Sequence, residues 1–383
     1  MISIPSKLPQ VGTTIFSVMS QMANEQKAIN LSQGFPDFDC DPELVALLSQ
    51  FAHEGYNQYA PMIGLPQLRQ QIALKYQKCY KADYNEATEI TVSAGASQAI
   101  FSILAACIAP GDEVIVFEPS YDLYQPTIQL LGGVVKSIVL KPPHFKIDWN
   151  EVKDTISPKT KMIILNNPNN PATKLLKAED LKTLESLLQD TPILVLSDEV
   201  YEHIVFDDVK FQSVCMYPGL KERSFIVASF GKLLHITGWK IGYCVAPEHL
   251  MTEFRKAHQF NVFCVHTPSQ MAIAAYLAQH DVYNELSAFF QRKRDLFMAG
   301  MSSSKFDLIP SEGSYFINAT YAQISEDSDF DFATKLVKDY GVATIPVSAF
   351  YSQDKDEIKL LRFCFAKQDS TLEQAIERLL QVH

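Results

Sequence analysis

No run of apolar residues in this 383-residue sequence approaches the roughly 18 that a membrane-spanning helix requires. The first residues, Met1-Ile2-Ser3-Ile4-Pro5-Ser6-Lys7, lack a charged segment followed by an apolar one, so no export signal is expected. Basic residues are in the minority. Thirty-three Lys and Arg face 44 Asp and Glu, a net charge of −11, and none of the basic residues cluster into an arm or tail. That balance leaves no electrostatic footprint for nucleic acid or an anionic membrane. The seven cysteines (Cys40, Cys79, Cys107, Cys215, Cys244, Cys264, Cys364) are odd in number and widely spread. Without a CxxC pair or a Cys/His ligand spacing, neither a zinc site nor a disulfide framework is expected. Cys107 and Cys244 lie in apolar runs and read as small buried hydrophobes. No G-x-G-x-x-G follows any strand, which excludes a nicotinamide-dependent dehydrogenase. Internal repeats, low-complexity tracts and long linkers are also absent. What remains is an ordinary soluble composition, 47% hydrophobic and 20% charged, for which the cytoplasm is the expected compartment.

At 383 residues the chain is long enough for two domains. From about residue 88 a strand, turn, helix pattern recurs. Glu89-Ile90-Thr91-Val92 precedes Gly95 and a helical stretch over 96–107. Glu113-Val114-Ile115-Val116-Phe117 precedes Glu118-Pro119-Ser120-Tyr121. Lys161-Met162-Ile163-Ile164-Leu165 precedes Asn166-Asn167-Pro168-Asn169-Asn170-Pro171. Ile193-Leu194-Val195-Leu196 precedes Ser197-Asp198-Glu199-Val200-Tyr201, and Phe225-Ile226-Val227-Ala228 precedes Ser229-Phe230-Gly231-Lys232. The charged, leucine-periodic stretch 176–188 reads as an amphipathic helix. Short, continuously apolar strands alternating with helices predict an α/β fold whose mostly parallel sheet is covered on both faces. Ligands of such sheets bind beyond the carboxyl ends of the strands. Every polar cluster named above follows such an end, so all of them can converge on one crevice. After about residue 285 the texture changes to a long charged helix over 286–301, short strands and a closing helix. This predicts a smaller α+β domain, joined by the N-terminal segment.

The richest cluster is Ser229-Phe230-Gly231-Lys232 with Thr237-Gly238-Trp239-Lys240-Ile241-Gly242. Leaving a strand, the chain presents hydroxyls, glycines and two amines, a set that can hold a phosphate while offering one amine to a carbonyl. Each signal alone has a plainer reading. A Ser-x-x-Lys can be a strand exit with solvated lysines, an Asp at a strand end a cap, and Asn-Pro a turn. A lone tyrosine is usually packing, and an arginine in a late strand usually a surface ion pair.

Together, their order and spacing resemble the class I/II pyridoxal-phosphate-dependent aminotransferases of fold type I. Within that family they resemble the branch holding kynurenine/glutamine transaminases and bacterial methionine aminotransferases. The likeness runs from Leu31-Ser32-Gln33-Gly34-Phe35-Pro36-Asp37-Phe38 to Arg362-Phe363-Cys364-Phe365-Ala366-Lys367. It implies a large domain with a mostly parallel seven-stranded sheet over 41–285. A small domain would be made of 286–383 with an N-terminal arm over 1–40.

The resemblance also implies roles. Lys232 matches the Schiff-base lysine, which must be neutral to attack a carbonyl and then shuttles a proton. Asp198 matches the carboxylate that keeps the pyridine nitrogen protonated, so that the ring draws electrons from Cα. Asn170 and Tyr201 match the groups that hydrogen-bond the ring's phenolic oxygen, and Tyr121 the aromatic stacked on the pyridine. Gly95, Ala96 and Ser97 open a helix whose N–H groups suit a phosphate, with Ser229 and Lys240 as further donors. Tyr59 matches the tyrosine that reaches the phosphate from a neighbouring subunit, which implies a homodimer with shared active sites. Arg362 matches the arginine that clamps the substrate α-carboxylate. Asn170 and the Gly34 backbone belong beside it, Gly34 being where a side chain would crowd the substrate. Lys240 stands where aspartate-type enzymes carry arginine, and Ala172 where many relatives carry threonine.

The segments expected near the substrate side chain are 35–38, 121–124, 259–264 and 348–351. They hold aromatics, with Phe260 and Phe263 as candidate walls, and no lysine or arginine. A neutral pocket follows, suited to methionine, aromatic amino acids, kynurenine or glutamine. The alternatives are a β-lyase acting on cysteine conjugates or cystathionine, which would use the same lysine, and a non-enzymatic cofactor-binding regulator. The second would need a basic DNA-binding module that this acidic chain lacks.

Overall fold

Seven short strands form the larger sheet: β1 (Ile90–Ser93), β2 (Glu113–Glu118), β3 (Val134–Val139), β4 (Thr160–Asn166), β5 (Leu194–Asp198), β6 (Ser224–Ser229) and β7 (Gly242–Val245). They come from a computed structural model that describes residues 4–352 and 358–383. Residues 1–3 of the expected N-terminal arm and 353–357 of the expected small domain lie outside the described residues. The spatial order is β1-β7-β6-β5-β4-β2-β3. Pairings from β6 through β3 are parallel, whereas β7 runs antiparallel to both neighbours. β1 therefore points the same way as β6.

The continuous apolar runs have a direct cause. Alternate residues of a strand face opposite sides of a sheet, and here both sides are buried. Val116, Ile164, Leu196 and Val227 pack into one core with Ile100 and Leu104 of the helix Gly95–Cys107. Ile115, Ile163, Val195 and Ile226 pack into the other. The helix expected over 176–188 begins at Ala178, because the Asp180 carboxylate accepts the Lys177 backbone N–H at 2.8 Å and fixes the start there.

The C-terminal part is built differently. β8 (Asp307–Ile309), β9 (Phe316–Thr320), β10 (Ile345–Pro346) and β11 (Leu360–Cys364) form an antiparallel sheet in the order β10-β11-β9-β8. It is flanked by the long helix Val282–Gly300 and the closing helix Asp369–Leu379, which pack on each other. Ile29–Asn30 pairs in parallel with Val342–Ala343, tying the start of the chain to this part. Among the described residues, no helix is long and apolar enough to cross a membrane. Among the same residues, no group of three or more His, Cys, Asp or Glu is placed to hold a metal ion.

Candidate active site

β1, β2, β4, β5 and β6 all end at one edge of the larger sheet, and β7 begins there. The residues just beyond line a cavity of about 400 Å³ together with Gly34 from the N-terminal segment and Arg362 from β11. Gly95, Ala96, Ser97, Tyr121, Asn170, Asp198, Tyr201, Ser229, Lys232 and Lys240 all reach it. Scattered from Gly34 to Arg362, these groups meet because parallel strands deliver their C-terminal loops to a common edge.

One end of the cavity suits an anion. The helix Gly95–Cys107 starts without a side-chain cap, so its first N–H groups are free to meet a ligand. Gly95 has a φ of +74°, a left-handed conformation that glycine adopts at little cost. A Cβ there would lie 3.3 Å from Lys240 Nζ, so the lysine amine sits against the helix start. Among the described residues Lys240 has no carboxylate partner.

At the centre stands Asp198, the last residue of β5 and almost fully buried. Burial pushes its carboxyl up to about 6, although hydrogen bonds from Tyr124 and the Val200 backbone oppose the shift. The Tyr124 hydroxyl donates to Asp198 Oδ2 at 2.5 Å. Tyr124 lies in the segment 121–124 expected near the substrate side chain, but as the first residue of the helix Tyr124–Leu130 it turns its hydroxyl to Asp198, a contact no motif marked. Tyr201 is held from behind, since the adjacent Glu202 pairs with the buried Lys75 and accepts the Tyr80 hydroxyl at 2.5 Å.

Asn166 joins the centre to the far end. Its side-chain amide donates to the Asp198 carbonyl at 3.2 Å, and its Oδ1 accepts the Asn170 backbone N–H at 2.6 Å. Asn170 Oδ1 in turn accepts from Arg362 Nη1 at 2.6 Å. Arg362 is fully buried, its guanidinium 3.9 Å above the Phe316 ring, with Nη2 donating to the Ser32 carbonyl at 3.1 Å. Its Nε has no partner. With two of five N–H groups engaged, the fork keeps donors for a carboxylate.

Lys232 faces the cavity from the helical turn after β6. Its Nζ donates to the Gly34 carbonyl at 3.0 Å and to the Tyr315 hydroxyl at 2.6 Å. Burial, with the charges of Lys240 and Arg362, pushes the amine down to about 8.

The structure revises three expectations. Gly34 is small for a different reason from the one expected: a Cβ there would come within 2.6 Å of the Phe316 ring, not into open substrate space. Segments 259–264 and 348–351 do not line this chain's cavity. Phe260 is 87% exposed, and Phe263 meets Tyr59 edge-on at 5.6 Å. Tyr59 itself is 85% exposed and lies outside the cavity of its own chain. Phe350 forms a layer behind the site, 5.3 Å from the Arg362 guanidinium. The nearer walls are Phe16, Gln33, Phe35, Ile100, Tyr121 and Phe316. A larger cavity of about 570 Å³ shares only Asn166 with this one and gathers none of the residues to which the resemblance assigned a cofactor or substrate role.

The sequence matches the family model of aminotransferase class I and II over residues 26–379. The chain belongs to the class I and II aminotransferases. It is 46% identical to the methionine aminotransferase of Escherichia coli (strain K12), with 98% of each chain covered. It is 33% identical to a kynurenine–oxoglutarate transaminase of Dictyostelium discoideum, covering 99% of this chain and 96% of that one. The crystal structure of YbdL from Escherichia coli, whose reactivity identified a methionine aminotransferase function, superposes with a TM-score of 0.96. That structure is 44% identical and covered in full on both sides. The fold is that of the fold-type-I transferases, and the cofactor of this family is pyridoxal phosphate. The residues present fit it: an uncapped helix start for the phosphate beside Lys240, which has no carboxylate partner among the described residues, a buried carboxylate for the ring nitrogen, and a lysine amine in the same cavity.

The Tyr124 hydrogen bond yields a pH prediction. With the ring nitrogen assigned to Asp198, as proposed below, only the ionised carboxylate could accept the proton of a pyridinium, and cofactor affinity would weaken as pH falls through about 6. In Tyr124→Phe the anion loses a donor, its pKa rises, and the fall-off should move up by about one to two pH units. Fluorescence titration of the apoprotein with pyridoxal phosphate at a series of pH values would show the shift. An unshifted profile would mean that Tyr124 does not tune Asp198.

Proposed function

We propose that this aminotransferase takes its amino group from methionine, and also from aromatic amino acids, kynurenine or glutamine, and passes it to a 2-oxo acid by a ping-pong mechanism. The carrying observation is the 46% identity to a methionine aminotransferase across 98% of both chains. The cavity supports it. Its cations are Lys232, Lys240 and Arg362, each with a role assigned below, and apolar and aromatic residues form much of the remaining wall. A dicarboxylic donor would need a further cation for its distal carboxylate.

When bound, pyridoxal phosphate supplies a carbonyl that takes up the amino group and a ring that draws electron density from Cα. We assign the phosphate to the backbone of Gly95, Ala96 and Ser97 with Ser229 and Lys240. The ring goes to Tyr121 and Asp198, its phenolic oxygen to Asn170 and Tyr201, and the substrate carboxylate to Arg362 with Asn170 and Gly34. Arg362 fixes the carboxylate, which orients the Cα–H bond, and Lys232 receives that proton at Nζ and returns it one position along. Asp198 holds its negative charge against the ring nitrogen throughout.

We further assign residues 41–285 to the large domain and 286–383, with 1–40, to the small one. The exposed aromatic group of Tyr59, Phe260 and Phe263 supports a homodimer in which Tyr59 completes the partner's phosphate site. Seven free cysteines fit a reducing compartment such as the cytoplasm. The relatives reported above are named for transamination, and none of them for β-elimination.

Steady-state kinetics with a panel of amino donors tests the assignment. Methionine should rank at or near the top in kcat/KM, with aspartate at least about tenfold lower, the size expected of one missing charge-assisted contact. Aspartate as best donor with methionine inert would refute it. Sedimentation should show a dimer, and a fully active monomer would remove Tyr59 from the site.

A further inference from the structure

Tyr315 was not among the residues that the motifs marked, yet its hydroxyl touches the amine on which the reaction turns. It precedes β9 and is 1% exposed, its ring packed against Tyr201 at 5.1 Å, Phe316 at 4.9 Å and Phe290 at 5.6 Å. Three polar groups meet at its edge. Lys232 Nζ donates to the Tyr315 oxygen at 2.6 Å and to the Gly34 carbonyl at 3.0 Å, and the Tyr315 hydroxyl itself donates to that carbonyl.

This triangle can satisfy the lysine in both of its protonation states. With Lys232 as ammonium, two of its N–H groups go to the Tyr315 oxygen and the Gly34 carbonyl, while the Tyr315 O–H also points at Gly34. With Lys232 as neutral amine, the Tyr315 O–H can turn to the nitrogen lone pair while a lysine N–H still serves Gly34. A buried group that changes charge normally leaves some partner unsatisfied, which is costly. Here one hydroxyl rotation removes that cost.

We propose that Tyr315 is a positioning residue for Lys232, forming with the Gly34 carbonyl a berth that holds the amine in either protonation state while it is not bonded to the cofactor. The inference rests on the assignment of Lys232 above. In the berth, the proton removed from substrate Cα lands on the Nζ lone pair, and the C–H electron pair stays with the substrate. The Tyr315 O–H, displaced from that lone pair, turns to Gly34. Returning the proton reverses the movement. The berth also shares the segment 32–34 with the arginine site, because Arg362 donates to the Ser32 carbonyl at 3.1 Å. Lys240, Arg362, Asp198 and Cys364 face the same amine, the first two disfavouring its charge and the others favouring it.

Tyr315→Phe keeps the ring and its packing and removes only the hydroxyl. In the holoenzyme, kcat should fall about 10- to 100-fold with KM for the donor little changed, because the loss falls on proton transfer and not on binding. A second readout needs no turnover. In holoenzyme that has already taken the donor's nitrogen, Lys232 is free. Its reductive methylation by formaldehyde and cyanoborohydride, followed on the Lys232 peptide by mass spectrometry across pH, reports its pKa. That midpoint should move down in Tyr315→Phe, because the charge-assisted bond lost by the ammonium is stronger than the O–H···N bond lost by the neutral amine. Fluorinated tyrosine at 315 covers the case of a variant that fails to fold. It keeps the hydroxyl but weakens the oxygen as an acceptor, so the midpoint should fall in steps with added fluorine. Unchanged kcat and an unchanged midpoint in Tyr315→Phe, or a midpoint indifferent to fluorine, would overturn the berth. Lys232→Ala run alongside separates the two claims. An active Lys232→Ala would sink the site assignment itself, whereas an inactive one beside an unaltered Tyr315→Phe would sink only the berth.

Discussion

Lys232→Ala is expected to lower kcat by at least about 10⁴-fold, the upper range for a positioned acid–base group, with covalent attachment of the cofactor lost as well. Two observations make the effect this large. First, the amine is already pushed down to about 8, so a substantial fraction is neutral near physiological pH without help from substrate. Secondly, among the described residues the only other lysine lining the cavity is Lys240, which lies at the helix start, against Gly95. The variant should still fold and still bind pyridoxal phosphate, because Asp198, Tyr121 and the helix start remain. Stopped-flow absorbance with methionine would check it: a holoprotein whose spectrum changes at the wild-type rate would refute the role.

Arg362→Lys should lower kcat/KM for amino acids and oxo acids alike, by about 30- to 5,000-fold, equivalent to about 2–5 kcal/mol for truncating one side of a buried charged contact. A lysine keeps the charge but offers a single point where the fork offered two parallel donors. It also abandons the stack on Phe316 and the hydrogen bonds to Asn170 and Ser32. Both half-reactions use a substrate with an α-carboxylate, so both should suffer equally. A fall confined to one of them would show that Arg362 serves something other than the shared carboxylate.

These residues were legible in the sequence for a topological reason. Five strands announced themselves as short apolar runs because both faces of the sheet are buried, and each was followed by its polar cluster. β3 was harder to see. It is an edge strand, carries Lys136 and Ser137, and is mostly half-exposed. β7 is only four residues long and starts with glycine, and as the one reversed strand it does not follow the repeating pattern.

Within the site, what could be read were residues that follow a strand or open a helix. What could not were residues that act by meeting another part of the chain. Tyr124 lies 74 positions from Asp198, and Tyr315 lies 83 from Lys232, so no local pattern marks either contact. Gly34 shows the same limit from the other side. Its smallness was legible, but the ring that requires it, Phe316, belongs to a strand nearly 300 residues later. Phe260 and Phe263 were expected to wall the pocket because they are aromatic and close to it in the family's order. In the single chain Phe263 instead meets Tyr59 edge-on and Phe260 is exposed.

The most direct test of the whole account is to reduce the holoenzyme with borohydride, digest it and locate the cofactor by mass spectrometry. A pyridoxyl group is expected on the Lys232 side chain, at close to one per chain, and none on Lys240, with fragmentation of the peptide that carries both lysines telling them apart. A cofactor fixed to any other lysine, or none fixed at all, would contradict it.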